Sequence, residues 1–169
     1  SPEDKRDLLM GTFLPVFSVP TELDYTDKMT PVRDQGNEGT CVGFSSTVGM
    51  KEYQEKKEHR QGINLSPRFL YQECKKRDGM PNEEGTYIRI ALEVLKEIGV
   101  CEENYWPYIA CNPGSPKPEA EQNASHYKIK AYARLDSLEV MKKSLVVNGP
   151  CVAGIPVYQN WRTQEVYST

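Results

Sequence analysis

Histidine is scarce in this chain, and long apolar runs are missing. Two histidines, His59 and His126, occur among 169 residues. With five cysteines that form no CxxC pair, they are too few for a structural zinc site. No apolar stretch approaches the ~18 residues that a membrane-spanning helix needs. Charge of one sign is lacking too: 24 acids face 21 bases, for a net charge of −3. Without a basic excess to neutralise phosphates, no nucleic-acid role is indicated. The N-terminal run Ser1-Pro2-Glu3-Asp4-Lys5-Arg6-Asp7 has no apolar core, so no signal peptide is visible, as would also hold after cleavage. The cysteine count is too low for a disulfide-dense mini-protein and is odd, so at least one thiol stays free or pairs outside the chain. What is present is a spread of 10 Tyr, 4 Phe and 2 Trp in a chain that is 38% hydrophobic. That is enough for one globular domain, or one and a half, rather than a disordered segment.

Residues 1–31 read as an irregular arm cut by Pro2, Pro15, Pro20 and Pro31, with Leu8, Leu9, Phe13, Leu14, Val16 and Phe17 apolar enough to dock on a body. A first helix is predicted from Thr40-Cys41 to about Glu58, with the charged run Lys51–Glu58 as its solvated face. A second starts at Ser66 as N-cap with Pro67 in the first turn, and carries Phe69, Leu70 and Cys74. A third fits Tyr87 to Ile98 with Gly99 after its end, and a fourth runs from Asp136 or Ser137 to about Val147. Residues 111–118 form a loop, while Tyr127–Leu135 and Cys151–Tyr158 read as strands. Helices followed by the opening of a β region make an α+β chain, divided near residues 112–125.

The segment Gln35-Gly36-Asn37-Glu38-Gly39-Thr40-Cys41 carries the chemistry. A turn-rich loop delivers a cysteine to the start of a helix, where unpaired N–H groups and the positive end of the helix dipole favour a thiolate. The same N–H groups can donate to an oxyanion, and Gln35 could add a side-chain donor. The plain alternative is a small buried cysteine filling a helix–loop junction.

This loop, Gln35-Gly36 followed by Gly39-Thr40-Cys41-Val42-Gly43-Phe44-Ser45, resembles the active-site signature of papain-like cysteine proteases, with the same Gln-to-Cys spacing. Val19-Pro20-Thr21-Glu22-Leu23-Asp24, Leu65-Ser66 to Cys74, Tyr105-Trp106-Pro107-Tyr108 and Asn148-Gly149-Pro150-Cys151 resemble further landmarks of that family, in family order over residues ~19–160. Glu84-Gly85-Thr86-Tyr87, Gly99-Val100-Cys101 and Ile155-Pro156-Val157-Tyr158 look like its bacterial and archaeal branch. The resemblance implies a papain-like fold with an arm or propeptide remnant (1–31), a helical half (32–111) and the start of a β half (112–169). It also implies Cys41 as acyl-forming nucleophile, Gln35 with the Cys41 amide as oxyanion donors, and Gly85-Thr86 as the segment that binds the substrate backbone. The substrate would be a polypeptide, with no metal or organic cofactor.

Two departures stand out. The family carries a disulfide-bonded Cys three residues before the nucleophile, where this chain has Glu38. Cys74 resembles half of a second family bridge, with Cys111 as its partner; that pairing would suit a secreted or otherwise extracytoplasmic protein. The family's base and its orienting Asn should fall ~130–150 residues after the nucleophile, at roughly 171–191. They would then lie beyond Thr169, on a downstream segment or a separate chain. His59, about 25 Å along the helix from Cys41, cannot reach its sulfur, and His126 reads as a surface or strand-end residue. Other readings are a non-catalytic binding module and a papain-fold acyltransferase. Asn123-Ala124-Ser125 is a glycosylation sequon. Trp106 and Trp161 read as packing aromatics, and Glu83-Glu84 and Glu102-Glu103 as solvated loop acids.

Overall fold

From Cys41 the chain winds without a break to His59: α1 (Cys41–Phe44), a π-helical stretch (Ser45–Lys51) and α2 (Glu52–His59). This is a computed structural model; it describes residues 3–60, 62–158 and 161. A π turn accommodates more residues than an α turn, so it rotates the face that the following residues present. The charged stretch expected to be a solvated face is therefore partly internal. Lys51, Glu52 and Glu55 are buried, while Lys57 and Glu58 are exposed. Burial is tolerated because each charge is answered. Lys51 pairs with Glu55 and donates to the Lys128 carbonyl at 3.1 Å. Glu52 accepts from Thr30, Arg33 and the Leu65 amide.

Ser66 caps α3 (Pro67–Lys75) by accepting from the Phe69 amide at 3.0 Å, with Pro67 in the first turn as expected. The third helix, α4 (Ile88–Glu97), ends before Gly99, whose φ of +93° suits glycine. A Cβ there would lie 2.0 Å from the Ala124 carbonyl oxygen. That close approach seats α5 (Ala120–Ala124), a helix inside the stretch taken as the domain boundary. In α6 (Leu138–Asn148) the cap is Ser137, accepting from the Val140 amide at 3.2 Å.

The core is one cluster. Leu65, Phe69, Leu70 and Cys74 meet Ala91, Val94 and Leu95 of α4, and Val100, Cys101, Trp106, Ala120, Ala124 and Ile129 close it. Each large side chain removed from water contributes on the order of 1.5–3 kcal/mol. Trp106 packs edge-to-face on Phe69 and donates its indole N–H to the Pro113 carbonyl. It is a core aromatic, as read from the sequence. Glycine at position 43 lets α1 lie against α3, since a Cβ there would sit 3.0 Å from the Pro67 carbonyl oxygen.

The two expected strands do not form ladders among the described residues. Residues 127–135 make one parallel bridge, Arg134 to Leu9, and the only other bridge among the described residues is Leu65 to Glu102. A strand needs a hydrogen-bonded neighbouring strand, and residues 151–158 have none among the described residues. Ile155 and Val157 stand exposed there. The arm docks through polar groups at its start, while Leu14 and Phe17 are half-buried and Tyr25 packs edge-on against Tyr53. Asp7 pairs with Arg89 at 2.6 Å, and the Met10 amide and Leu8 carbonyl bond to Arg134, while Phe13 and Val16 are exposed.

Candidate active site

Cys41 is the first residue of α1 and is exposed, whereas Thr40 before it is wholly buried. The loop leading to it is tied to itself. The Glu38 carbonyl accepts from the Gln35 side-chain amide at 2.9 Å and from the Thr40 amide at 2.7 Å. An amide NH2 carries two protons, so Gln35 keeps one for another acceptor. At Gly39 a Cβ would fall 2.7 Å from Glu84 Cβ and 3.0 Å from the Gly85 amide nitrogen. The structure thus brings Gly85 against the loop, two residues before Cys41. Gly85 has φ +85° and open space where its Cβ would be, and its carbonyl accepts from Lys75 at 3.1 Å. Thr86 follows it at the entrance to α4.

Neither histidine makes a hydrogen bond to Cys41 among the described residues. His59 ends α2, exposed, 3.5 Å from Glu55. His126 is exposed beside Tyr127.

Several residues that sequence reading passed over surround the loop. Arg68, fully buried on α3, forms a two-pronged pair with Glu38: Nη1 to Oε1 at 2.6 Å and Nη2 to Oε2 at 2.7 Å. Tyr108 donates to the Gln35 carbonyl and shares a hydrogen bond with the Thr40 hydroxyl, each at 2.8 Å. The Arg68 guanidinium lies 4.5 Å from the Tyr108 ring centre, and Phe44 packs edge-on against the other side of the network. The hydrogen bonds from Arg68 hold the Glu38 carboxyl below its ordinary pKa. Burial works against the Arg68 charge, but Glu38 outweighs it and the pKa of Arg68 is raised. An arginine in the first turn, beside the apolar Phe69 and Leu70, was the available signal.

The pairing of Cys74 with Cys111 is corrected. All five cysteines are free thiols; Cys74 is sealed in the core and Cys111 is exposed, its sulfur turned toward the Asn37 carbonyl at 3.6 Å. Burial pushes the thiols of Cys74 and Cys101 up to about 12. The acids at 102 and 103 are not solvated loop residues either. Glu102 accepts from Asn123 and Tyr127, and Glu103 accepts from the Tyr108 amide and faces Arg33 at 3.3 Å. Both ends of the Asn123 side chain meet Glu102: its carbonyl oxygen accepts from the Glu102 amide and its NH2 donates to the Glu102 carboxylate.

Residues 19–168 match the family model described as papain family cysteine protease. The chain belongs to that family. Among relatives of this papain-family chain, an uncharacterized peptidase C1-like protein of Acanthamoeba polyphaga mimivirus is 26% identical, over 80% of this chain and 47% of its own length. Cathepsin K of Gallus gallus is 29% identical, over 89% of this chain and 46% of its own length. The chain spans about half the length, or less, of the relatives it matches. Xylellain, a cysteine protease from Xylella fastidiosa, superposes with a TM-score of 0.70 at 24% identity, covering 87% of this chain and 61% of its own. The fold is papain-like. No described helix is long and apolar enough to cross a membrane.

Proposed function

We propose that the protein carrying this chain is a cysteine peptidase acting on polypeptides. The observation that carries the reading is an exposed Cys41 at the first position of a helix, on a loop that also presents Gln35, in a papain-family chain. Cys41 Sγ attacks the peptide carbonyl carbon, and the C=O electron pair moves onto oxygen. The Cys41 amide and the second proton of the Gln35 amide receive that oxyanion. Collapse expels the amine and leaves a thioester, which water hydrolyses to return the thiol. A histidine outside residues 1–169 takes the thiol proton and hands it to the leaving amine. That neither His59 nor His126 makes a hydrogen bond to Cys41 among the described residues supports that assignment. Gly85, whose amide lies beside Gly39 of the nucleophile loop, and Thr86 after it bind the substrate backbone alongside the scissile bond.

The test is hydrolysis of a mixed fluorogenic peptide library by the 169 residues alone and together with the downstream sequence. The chain alone is expected to turn over almost nothing, since a positioned acid–base partner is worth ~10²–10⁴-fold. The completed protein should turn over, and Cys41→Ala should abolish it. No turnover by the completed protein would overturn the reading and leave the binding module, and turnover unaffected by Cys41→Ala would overturn Cys41 as its nucleophile. Transfer of the acyl group to an added amine in preference to water would instead identify an acyltransferase.

A further inference from the structure

Arg68 breaks a local rule. The first turn of a helix favours acids, because the dipole and unpaired N–H groups there are positive. Arg68 is nonetheless the second residue of α3, fully buried, and its Nε finds no acceptor among the described residues. Such a cation is costly unless paired, and rule-breaking at a buried position marks a functional demand. Its partner is Glu38, at the position where the papain family carries a disulfide-bonded cysteine. Glu38 is gripped at both ends. Its carboxylate accepts from Arg68 and from the Cys111 amide at 2.8 Å, and at 3.2 Å it shares the single Tyr108 hydroxyl proton with the Gln35 carbonyl. Its carbonyl holds the Gln35 side chain and the Thr40 amide. Tyr108 then fixes the Gln35 carbonyl and the Thr40 hydroxyl. The groups that hold the Gln35 side chain and carbonyl and the Thr40 amide and hydroxyl thus lead back to Arg68 or Tyr108.

We propose that Arg68, Glu38 and Tyr108 are positioning residues that aim the oxyanion donors Gln35 and the Cys41 amide, a charge-paired tie doing the work of a covalent bridge. The inference rests on the peptidase reading. It adds that the ion pair sets transition-state geometry beyond holding the fold together. A two-pronged guanidinium–carboxylate pair suits this, because it fixes direction as well as distance.

The test compares wild type, Tyr108→Phe, Arg68→Met and the double variant Glu38→Gln/Arg68→Met in the completed protein. Arg68→Met alone strands a carboxylate and is expected to melt early. The double variant removes both charges, so its melting temperature should return close to that of wild type. If the pair aims the donors, kcat of the double variant stays at least about tenfold down with KM little changed; loss of a whole oxyanion donor costs about 10²–10³-fold. A peptide aldehyde, whose adduct oxygen occupies the hole, should lose affinity by a similar factor. The rate of Cys41 alkylation by iodoacetamide, which needs no oxyanion hole, should be unchanged. Tyr108→Phe, which keeps the ring, should show the same kcat loss in milder form. Recovery of kcat together with melting temperature in the double variant would overturn the proposal. Should wild type show no Cys41-dependent turnover, the peptidase reading fails separately. Amide exchange at Thr40 and Cys41 then decides: faster in the double variant supports the tie, and equal rates overturn it.

Discussion

Glu38 and Arg68, thirty residues apart in sequence, meet through two hydrogen bonds of 2.6 and 2.7 Å three residues before the candidate nucleophile. The pair joins the loop that presents Cys41 to the buried face of α3. A charged contact holds that junction, so its strength depends on protonation, as a disulfide's would not.

The first prediction concerns acid. Glu38 has its pKa lowered from 4.5, chiefly by Arg68. A carboxyl depressed in the folded state adds stability that is present above its unfolded pKa and is lost as pH falls through the folded one. The melting-temperature gap between wild type and Glu38→Gln should be widest above pH 4.5 and close as the pH drops below it. A gap that stays constant far into acid would show that the carboxylate charge contributes nothing.

Thiol labelling gives the second. In the native protein Cys41 and Cys111 are exposed and should react with iodoacetamide, while Cys74 and Cys101, buried with pKa values near 12, should be protected until unfolding. Peptide mapping after limited labelling reads this. Modification of Cys74 before Cys41 would contradict the packing.

A third follows from Ser66, which caps α3 and also donates to the Trp106 carbonyl at 2.5 Å. Ser66→Ala removes the cap and leaves a buried carbonyl short of a donor. The loss should be about 2–3 kcal/mol, measured as a lower urea midpoint with an unchanged slope.

Two glycines supply the fourth. Gly99→Ala meets both a positive φ and the Ala124 carbonyl at 2.0 Å, and should cost at least about 2 kcal/mol in stability. Gly39→Ala instead pushes on Glu84 and Gly85. It should raise KM for peptide substrates more than it lowers the melting temperature, as measured by kinetics and unfolding on the same preparation.

The helix ends were legible because capping is local chemistry. Ser66 with Pro67, and Gly99 after α4, announce themselves within a few residues. The α6 start was legible only to within a residue, and Ser137 rather than Asp136 does the capping. The strands at 127–135 and 151–158 were misread because β-branched, apolar composition records a capacity to pair, whereas a ladder requires a partner in space. α5 went unseen since Ala120–Ala124 is too short to display a periodic stripe. The charged run in α2 looked solvent-facing because the π stretch that turns Glu52 and Glu55 inward leaves no mark in a 3.6-residue pattern.

By itself the sequence determined the family motif, the place of Cys41 at a helix start and the loop that carries Gln35. All of these rest on residues close together along the chain. Tertiary structure alone decided the rest. It placed Gly85 against Gly39, left Cys74 and Cys111 unpaired, buried Glu52, and brought Arg68 and Tyr108 to Glu38. Such contacts join residues thirty to seventy positions apart, where burial and charge pairing depend on which surfaces meet. No local pattern encodes that meeting.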